Sequence, residues 1–231
     1  MVSIRKVLGG IIVERTILEQ LDQQVEIKKE SLIYLVGKRA MDIVASLFGL
    51  IILSPLLIIV SILIKLESAG PILFKQERVG LRGKRFVMYK FRSMVINAEA
   101  LKAKLESQNE MSGPMFKIKN DPRVTKVGKF IRKTSIDELP QLINILKGEM
   151  SIVGPRPSLP KEVELFEVWM LRRLDAKPGL TCYWQVRGRN NIGFEEWMRM
   201  DVDYVSERNI WIDIKLIFRT AVLLFGDKNA A

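Results

Sequence analysis

The stretch "TSIDELPQLINIL", residues 134–146, sets two adjacent carboxylates, Asp137 and Glu138, at the mouth of an apolar helical run. Two roles suit such a pair. As capping acids they need no further purpose: Ser135-x-x-Glu138 has capping-box spacing, and acids complement the positive end of a helix. As chemistry they suit phosphoryl transfer. Pro140 lacks an N–H and is comfortable only in a first helical turn, so the spacing predicts a helix that starts near Asp137. Unpaired N–H groups there make an anion site, and their field is expected to hold a carboxylate ionised. An ionised Asp137 can attack phosphorus, and a neighbouring Glu138 can hold Mg²⁺. The spacing alone leaves both roles open.

What the chain lacks narrows the chemistry. None of its 231 residues is a histidine, which removes the Ser-His and Cys-His pairs, the histidine base and the His-rich zinc site. Its one cysteine, Cys182, excludes internal disulfides and cysteine-rich metal sites and is expected to pack. Catalysis must then rest on carboxylates, Lys, Arg, Tyr or a hard metal ion. A formal net charge of +11 calls for an anionic partner: nucleic acid, a membrane surface or a phosphorylated substrate. Several basic residues stand beside turns or helix starts: Lys90 and Arg92 in "YKFRSM", Arg132 in "IRKTS", Arg156 in "GPRP", Arg187 and Arg189 in "VRGRN". A guanidinium matches phosphate oxygens with two parallel donors, and the prolines around Arg156 stiffen its backbone. Each arginine alone also fits a plain surface or helix-capping role. Nucleic acid fits poorly, because no helix-turn-helix, zinc or RNP signature is present and a long apolar run is.

That run is "IVASLFGLIILSPLLIIVSILI", residues 43–64, without a charge. At ~1.5 Å per residue it makes roughly 33 Å of helix, enough for a bilayer core. It lacks the position and cleavage site of a signal peptide, and its scattered Ser and Gly form no polar stripe of a buried core helix. Ser54-Pro55 at its centre predicts a kink or break, with Ser54 satisfying a freed carbonyl. Lys38 and Arg39 precede the run and Lys65 follows, so the positive-inside tendency puts both ends on the cytoplasmic face. Together these predict a re-entrant hairpin.

The elements around it set the frame. Residues 1–37 are mixed, with helical spacing at Leu18, Leu21 and Val25. "PILFKQERVGLRGKRFVMYKFRSM" predicts a β-hairpin punctuated by Gly80 and Gly83. Residues 97–107 predict an exposed helix, 107–124 a loop, and 126–146 two short helices broken around Thr134-Ser135. A helix is expected near 160–173, a turn-rich basic segment over "KPGLTCYWQVRGRNN", and an amphipathic helix from Trp211, a residue suited to a membrane interface. Asp201 reads either as a support or as a solvated acid. The fold class is α/β and helix-rich: a membrane-associated domain with a re-entrant helix, amphipathic interfacial helices and a small hairpin. The expected divisions are an extension, 1–37; the broken membrane helix, 38–66; and a cytosolic catalytic domain, 67–231.

From Lys38 to about Phe225 the chain resembles the bacterial sugar transferases, the monotopic polyprenyl-phosphate phosphoglycosyl transferases. The resemblance runs in order through "KRAMDIV", Ser54-Pro55, "YKFRSM", "KVGKFIRKTSIDELPQLINILKGEMSIVGPRP", "KPGLTCYWQVRGRN" and "DVDYV…WIDIK". It implies transfer of a sugar-1-phosphate from a UDP-sugar to undecaprenyl phosphate, with release of UMP, at the bacterial cytoplasmic membrane. It implies a ping-pong mechanism in which Asp137 attacks the sugar-bearing phosphorus and Glu138 binds Mg²⁺. It places Arg132, Arg156, Arg189 and Asp213 at active-site positions, with Lys90 and Arg187 beside them, and Ser54-Pro55 at the break of the membrane helix. Membrane lipids are then partners as well, and a hexose is the expected sugar. The extension 1–37 is longer than minimal members need and is a candidate for contacts with a second copy in a homo-oligomer or with another partner. Two other readings remain: a catalytically silent membrane-anchored scaffold, and a hydrolase of polyprenyl or nucleotide diphosphates.

Overall fold

The "KRAMDIV" segment makes one long helix that is greasy on one side and polar underneath. The computed structural model describes residues 30–102, 104–105, 118, 120–187 and 192–226. The expected helical spacing at Leu18, Leu21 and Val25, most of the 107–124 loop and Arg189 lie outside the described residues. Helix α1, Leu32–Ile52, is followed after Leu53 by α2, Ser54–Glu67, at a bend of 62°. Pro55 stands in the first turn of α2, where its missing N–H breaks no helical bond. Ser54 Oγ donates to the Ile51 carbonyl at 2.7 Å, the satisfaction expected of it. Among the described residues no single helix is long and apolar enough to cross a membrane, whereas this bent pair together is.

The outer face of the pair is bare. Val44, Phe48, Ile51, Ile58, Ile59 and Ile62 are each more than half exposed, as no core helix would be. The underside is fastened to the rest of the chain by charge. Asp42, fully buried, accepts from Ser151 Oγ and from the Ile152 N–H, both at 2.9 Å. Arg39 donates to the carbonyls of Ile145 and Leu146 (2.6 and 2.7 Å), and Lys38 to the Val153 carbonyl (2.9 Å).

Two small sheets complete the frame. Strands β1, Leu73–Val79, and β2, Arg85–Phe91, form the expected antiparallel hairpin, with Arg78 opposite Phe86, Gln76 opposite Met88 and Phe74 opposite Lys90. A short helix α3, Ala98–Lys102, follows within the segment read as a longer helix. Helix α4, Lys126–Lys133, is capped by Thr125 Oγ1, which accepts from the Gly128 N–H at 2.9 Å. Helix α5, Gln141–Lys147, ends at Gly148 in the left-handed region (φ 81°), and Asn144 ties it to β2 through Tyr89 N–H (3.0 Å) and the Val87 carbonyl (2.7 Å). Strand β3, Ser151–Val153, then pairs in parallel with β4, Gly179–Thr181. That parallel pair falls partly in the segment read as turn-rich. It exists because the backbones touch: a Cβ on Gly179 would sit 2.1 Å from the Gly154 nitrogen.

The expected helix near 160–173 is instead a single turn, α6, Pro160–Val163, and a 3₁₀ segment, Val168–Asp175. The tighter winding delivers Arg173 to Asp201, an ion pair that periodicity does not reveal. Helix α7, Tyr183–Arg187, leads to α8, Phe194–Glu207, and α9, Ile210–Gly226. Trp211 and Phe218 of α9 are exposed, while Asp213 and Leu216 are buried, so α9 also turns an apolar face outward. Cys182 packs in the core beside Tyr204 and Leu216.

Removing the Asp42 carboxylate strands two buried donors. Asp42→Ala is expected to destabilise the purified protein by about 2–4 kcal/mol, and Asp42→Asn by less. Thermal unfolding in detergent measures both, and unchanged midpoints would show that this fastening contributes nothing.

Candidate active site

The dyad lies on a 3₁₀ turn, Ile136–Glu138, between α4 and α5. Two expectations are corrected here. The helix proper begins at Gln141, because the chain winds as 3₁₀ through Leu139 and Pro140 first. Nor is there a capping box. Ser135 is left-handed (φ 56°) and caps nothing with its side chain, so Glu138 is not reaching back to a cap. Its Oε1 instead accepts from Lys90 Nζ at 2.6 Å.

Asp137 is half-buried beside it. Burial pushes its carboxyl up to about 6; the Lys90 and Arg132 charges oppose the rise, and the Glu138 charge adds to it. The expectation that a helix field would lower this group is therefore overturned. The adjoining turn is too short to supply a strong dipole, and loss of water outweighs it.

Glu138 and Lys90 form one edge of an open cleft of about 290 Å³, with Met88, Gln141, Leu180 and Gln185 in its lining. Arg156 reaches the same cleft from the "GPRP" loop, its guanidinium 5.7 Å from the centre of the Trp184 ring. That loop is held from behind. Arg173 donates to the Arg156 carbonyl at 2.8 Å, to Ser158 Oγ and to Asp201 Oδ2 at 2.5 Å. Asp201 is fully buried, which makes it the support rather than the solvated acid.

Other residues singled out by sequence stand elsewhere. Arg132 is exposed at the end of α4, near enough to Asp137 for its charge to be felt. Arg187 is exposed and lies 4.4 Å from the Tyr183 ring centre. Arg92 is buried and donates to the carbonyls of Ser68 and Ala69, ending α2, so it is a fastener. Asp213 is fully buried in α9. It accepts from Lys38 Nζ (2.7 Å), Tyr204 OH (2.7 Å) and Tyr34 OH (3.0 Å), and thereby ties α9 to α1.

Sequence reasoning passed over Arg78, which lines the same cleft as Lys90 and Glu138. The signal lay in the hairpin register. Lys90 and the apolar Met88 and Phe86 share one face of β2, and Gln76 and Arg78 are their cross-strand neighbours on that face.

Residues 33–227 match the family model described as bacterial sugar transferase. The chain belongs to that family. It is 49% identical over 195 residues to a galactosyl transferase CpsE of Streptococcus agalactiae, covering 84% of this chain and 43% of that protein. It is 45% identical over 197 residues to an undecaprenyl-phosphate galactose phosphotransferase of Salmonella typhimurium, covering 84% and 41%. With the exopolysaccharide production protein ExoY of Sinorhizobium fredii the identity is 38% over 189 residues, covering 80% of this chain and 84% of ExoY. This sugar transferase chain thus spans under half the length of the first two relatives and most of the third.

The raised Asp137 carboxyl has a consequence for stability. Its folded value, about 6, exceeds the ordinary 3.8, so the folded state binds the proton more tightly. The resulting stabilisation is present below about pH 4 and is lost as pH rises through 6. Asp137→Asn is therefore expected to raise the unfolding temperature relative to the parent at pH 8 and to match it near pH 4. Equal differences at both pH values would show that the carboxyl is not perturbed.

Proposed function

We propose that this chain transfers a hexose-1-phosphate from a UDP-sugar to undecaprenyl phosphate and releases UMP. The observation that carries the reading is Glu138, next to Asp137 in the chain, at the edge of a cleft whose other charged walls, Lys90, Arg78 and Arg156, are basic. A carboxylate nucleophile among cations suits a phosphorus centre that itself carries negative charge. The names of the relatives, which specify galactose or glucose and undecaprenyl phosphate, support the donor and acceptor.

In the first half-reaction an Asp137 carboxylate oxygen attacks the sugar-bearing phosphorus. The bond from that phosphorus to the bridging oxygen breaks, and UMP leaves with the electron pair. In the second, an oxygen of the lipid phosphate attacks the same phosphorus and the Asp137 carboxylate is released. Neither step needs a histidine, because phosphate oxygens leave and attack as anions. Lys90 and Arg132 favour the ionised nucleophile that burial disfavours. A carboxyl near 6 is still mostly ionised at neutral pH and is more basic than a free aspartate.

The donor set fits magnesium. Among the described residues no group of three or more acidic, His or Cys side chains could close a metal site. Mg²⁺ does not require one, since it binds through one or two carboxylates plus substrate phosphates and retains waters. Glu138 would hold it, and the ion when bound neutralises diphosphate charge.

The bent α1–α2 pair is the re-entrant membrane element of this reading, seated in the cytoplasmic leaflet of the bacterial cytoplasmic membrane beside the outward apolar face of α9. The exposed apolar residues of both support it.

The reaction is tested with purified protein, UDP-galactose or UDP-glucose, and undecaprenyl phosphate. UMP is expected in step with lipid-linked sugar, and Asp137→Asn is expected to lower its release by about 10³-fold or more. Normal turnover by that variant would overturn the nucleophile assignment. The topology is tested with Ser31→Cys and Ala69→Cys, since the native Cys182 is buried and gives little background. Both introduced thiols are expected to react with an impermeant reagent only from the cytosolic side; a single thiol reacting from outside would mean a span.

A further inference from the structure

The proposed reaction handles two phosphoryl groups at once, the one attacked and a neighbour, yet Lys90 and Arg132 both act on the Asp137 side. Two guanidiniums, Arg78 and Arg156, share the rest of the cleft wall. Arg78 is half-buried, and its terminal nitrogens donate to the Pro157 carbonyl (3.0 Å) and to Gln76 Oε1 (2.5 Å). Its Nε is shut off from water without a hydrogen-bond partner. Among the described residues neither arginine forms an ion pair. Burial and the neighbouring Arg156 charge push the Arg78 guanidinium down to about 10. A simple tie between β1 and the "GPRP" loop would need only the bond to Pro157. It would not call for a second arginine alongside in the same cleft.

We propose that Arg78 and Arg156 together form a second phosphate subsite of this cleft, taking the oxyanion of the phosphoryl group that Asp137 does not attack. The inference rests on the reading of the cleft given above. The chemistry is a phosphate monoester or diester oxygen pair against paired guanidiniums, held in place from behind by Arg173 and Asp201. It has two sources, the uridine-bearing phosphate of the donor and the phosphate of the lipid acceptor.

The test pairs UMP binding by calorimetry with initial rates against varied polyprenyl phosphate, for the parent, Arg78→Met and Arg78→Lys. UMP binding weakened by about tenfold or more in Arg78→Met assigns the subsite to the nucleotide. Unchanged UMP binding with a KM for polyprenyl phosphate raised by about as much assigns it to the lipid. Arg78→Lys, which keeps one charge and loses the fork, is expected to fall between parent and Met, and it carries the test if Arg78→Met does not fold. A lowered unfolding temperature with both constants at parental values would make Arg78 a structural tie and overturn the subsite, as would a parent that binds no UMP and shows no saturation by lipid. Asp137→Asn distinguishes the two readings: if it turns over normally the nucleophile assignment fails, while the Arg78 comparison of UMP binding stands on its own.

Discussion

Everything at the cleft depends on how an apolar helix is fastened to a polar domain. Three charged residues of α1 do this, Lys38, Arg39 and Asp42, at spacings that put them on the underside of one helical turn. Asp42 takes the first residues of β3, Lys38 takes its last carbonyl and the buried Asp213 of α9, and Arg39 closes the C-terminal end of α5. The strand so held runs directly into the "GPRP" loop, and the helix so held follows directly from the turn that carries the dyad. The two walls of the cleft are thus referenced to the same turn of α1. Positive charges at the C-terminal end of α5 also suit its exposed carbonyls, so the fastening costs little in unpaired polar groups.

Placing Asp137 on a 3₁₀ turn rather than on the first turn of a long helix has an electrostatic result. A strong helix dipole would keep the Asp137 carboxylate ionised but poorly basic. The structure has burial as the dominant influence, opposed by Lys90 and Arg132, and the compromise is a carboxyl near 6. Lys90 belongs to this balance twice, since it also pairs with Glu138 and so lessens the repulsion between the two acids. The hairpin is therefore part of the site: its register fixes where that ammonium stands, and Asn144 fixes the hairpin against α5.

Local pattern made much of this legible. An uncharged run with a central Ser-Pro told of two bent helices, and Gly80 and Gly83 told of the hairpin, because each signal is contained within a few residues. The dyad was legible as a pair of acids near a helix start. Its surroundings were not, because Ser135 adopts a left-handed backbone that capping-box spacing cannot anticipate. Contacts that close over long separations were also hidden. The Arg173–Asp201 pair joins residues 28 apart, and the Lys38–Asp213 pair joins residues 175 apart. Asp213, placed at the active site only by the family resemblance, has partners that no local pattern announces: two tyrosine hydroxyls and a lysine.

The arginines show why a net charge of +11 is a poor guide until the fold is known. Arg39, Arg92 and Arg173 each spend most of their donors on main-chain carbonyls or on a buried carboxylate, and they hold helix ends and a loop in place. None of these adds to the field that a ligand in the cleft would feel in proportion to its formal charge. Arg78 and Arg156 differ in lining the cleft itself, where charge is poorly screened, with Glu138 in the same lining and the Glu162 charge also felt by Arg78. The neighbouring Arg156 charge opposes that of Arg78 while Glu162 and Glu138 partly offset it, and an anion that relieves the remaining repulsion binds more tightly for that reason. The same fold therefore uses one residue type in two ways: arginines turned to main-chain carbonyls hold helix ends and a loop in place, and those that line the cleft are placed to meet an anion.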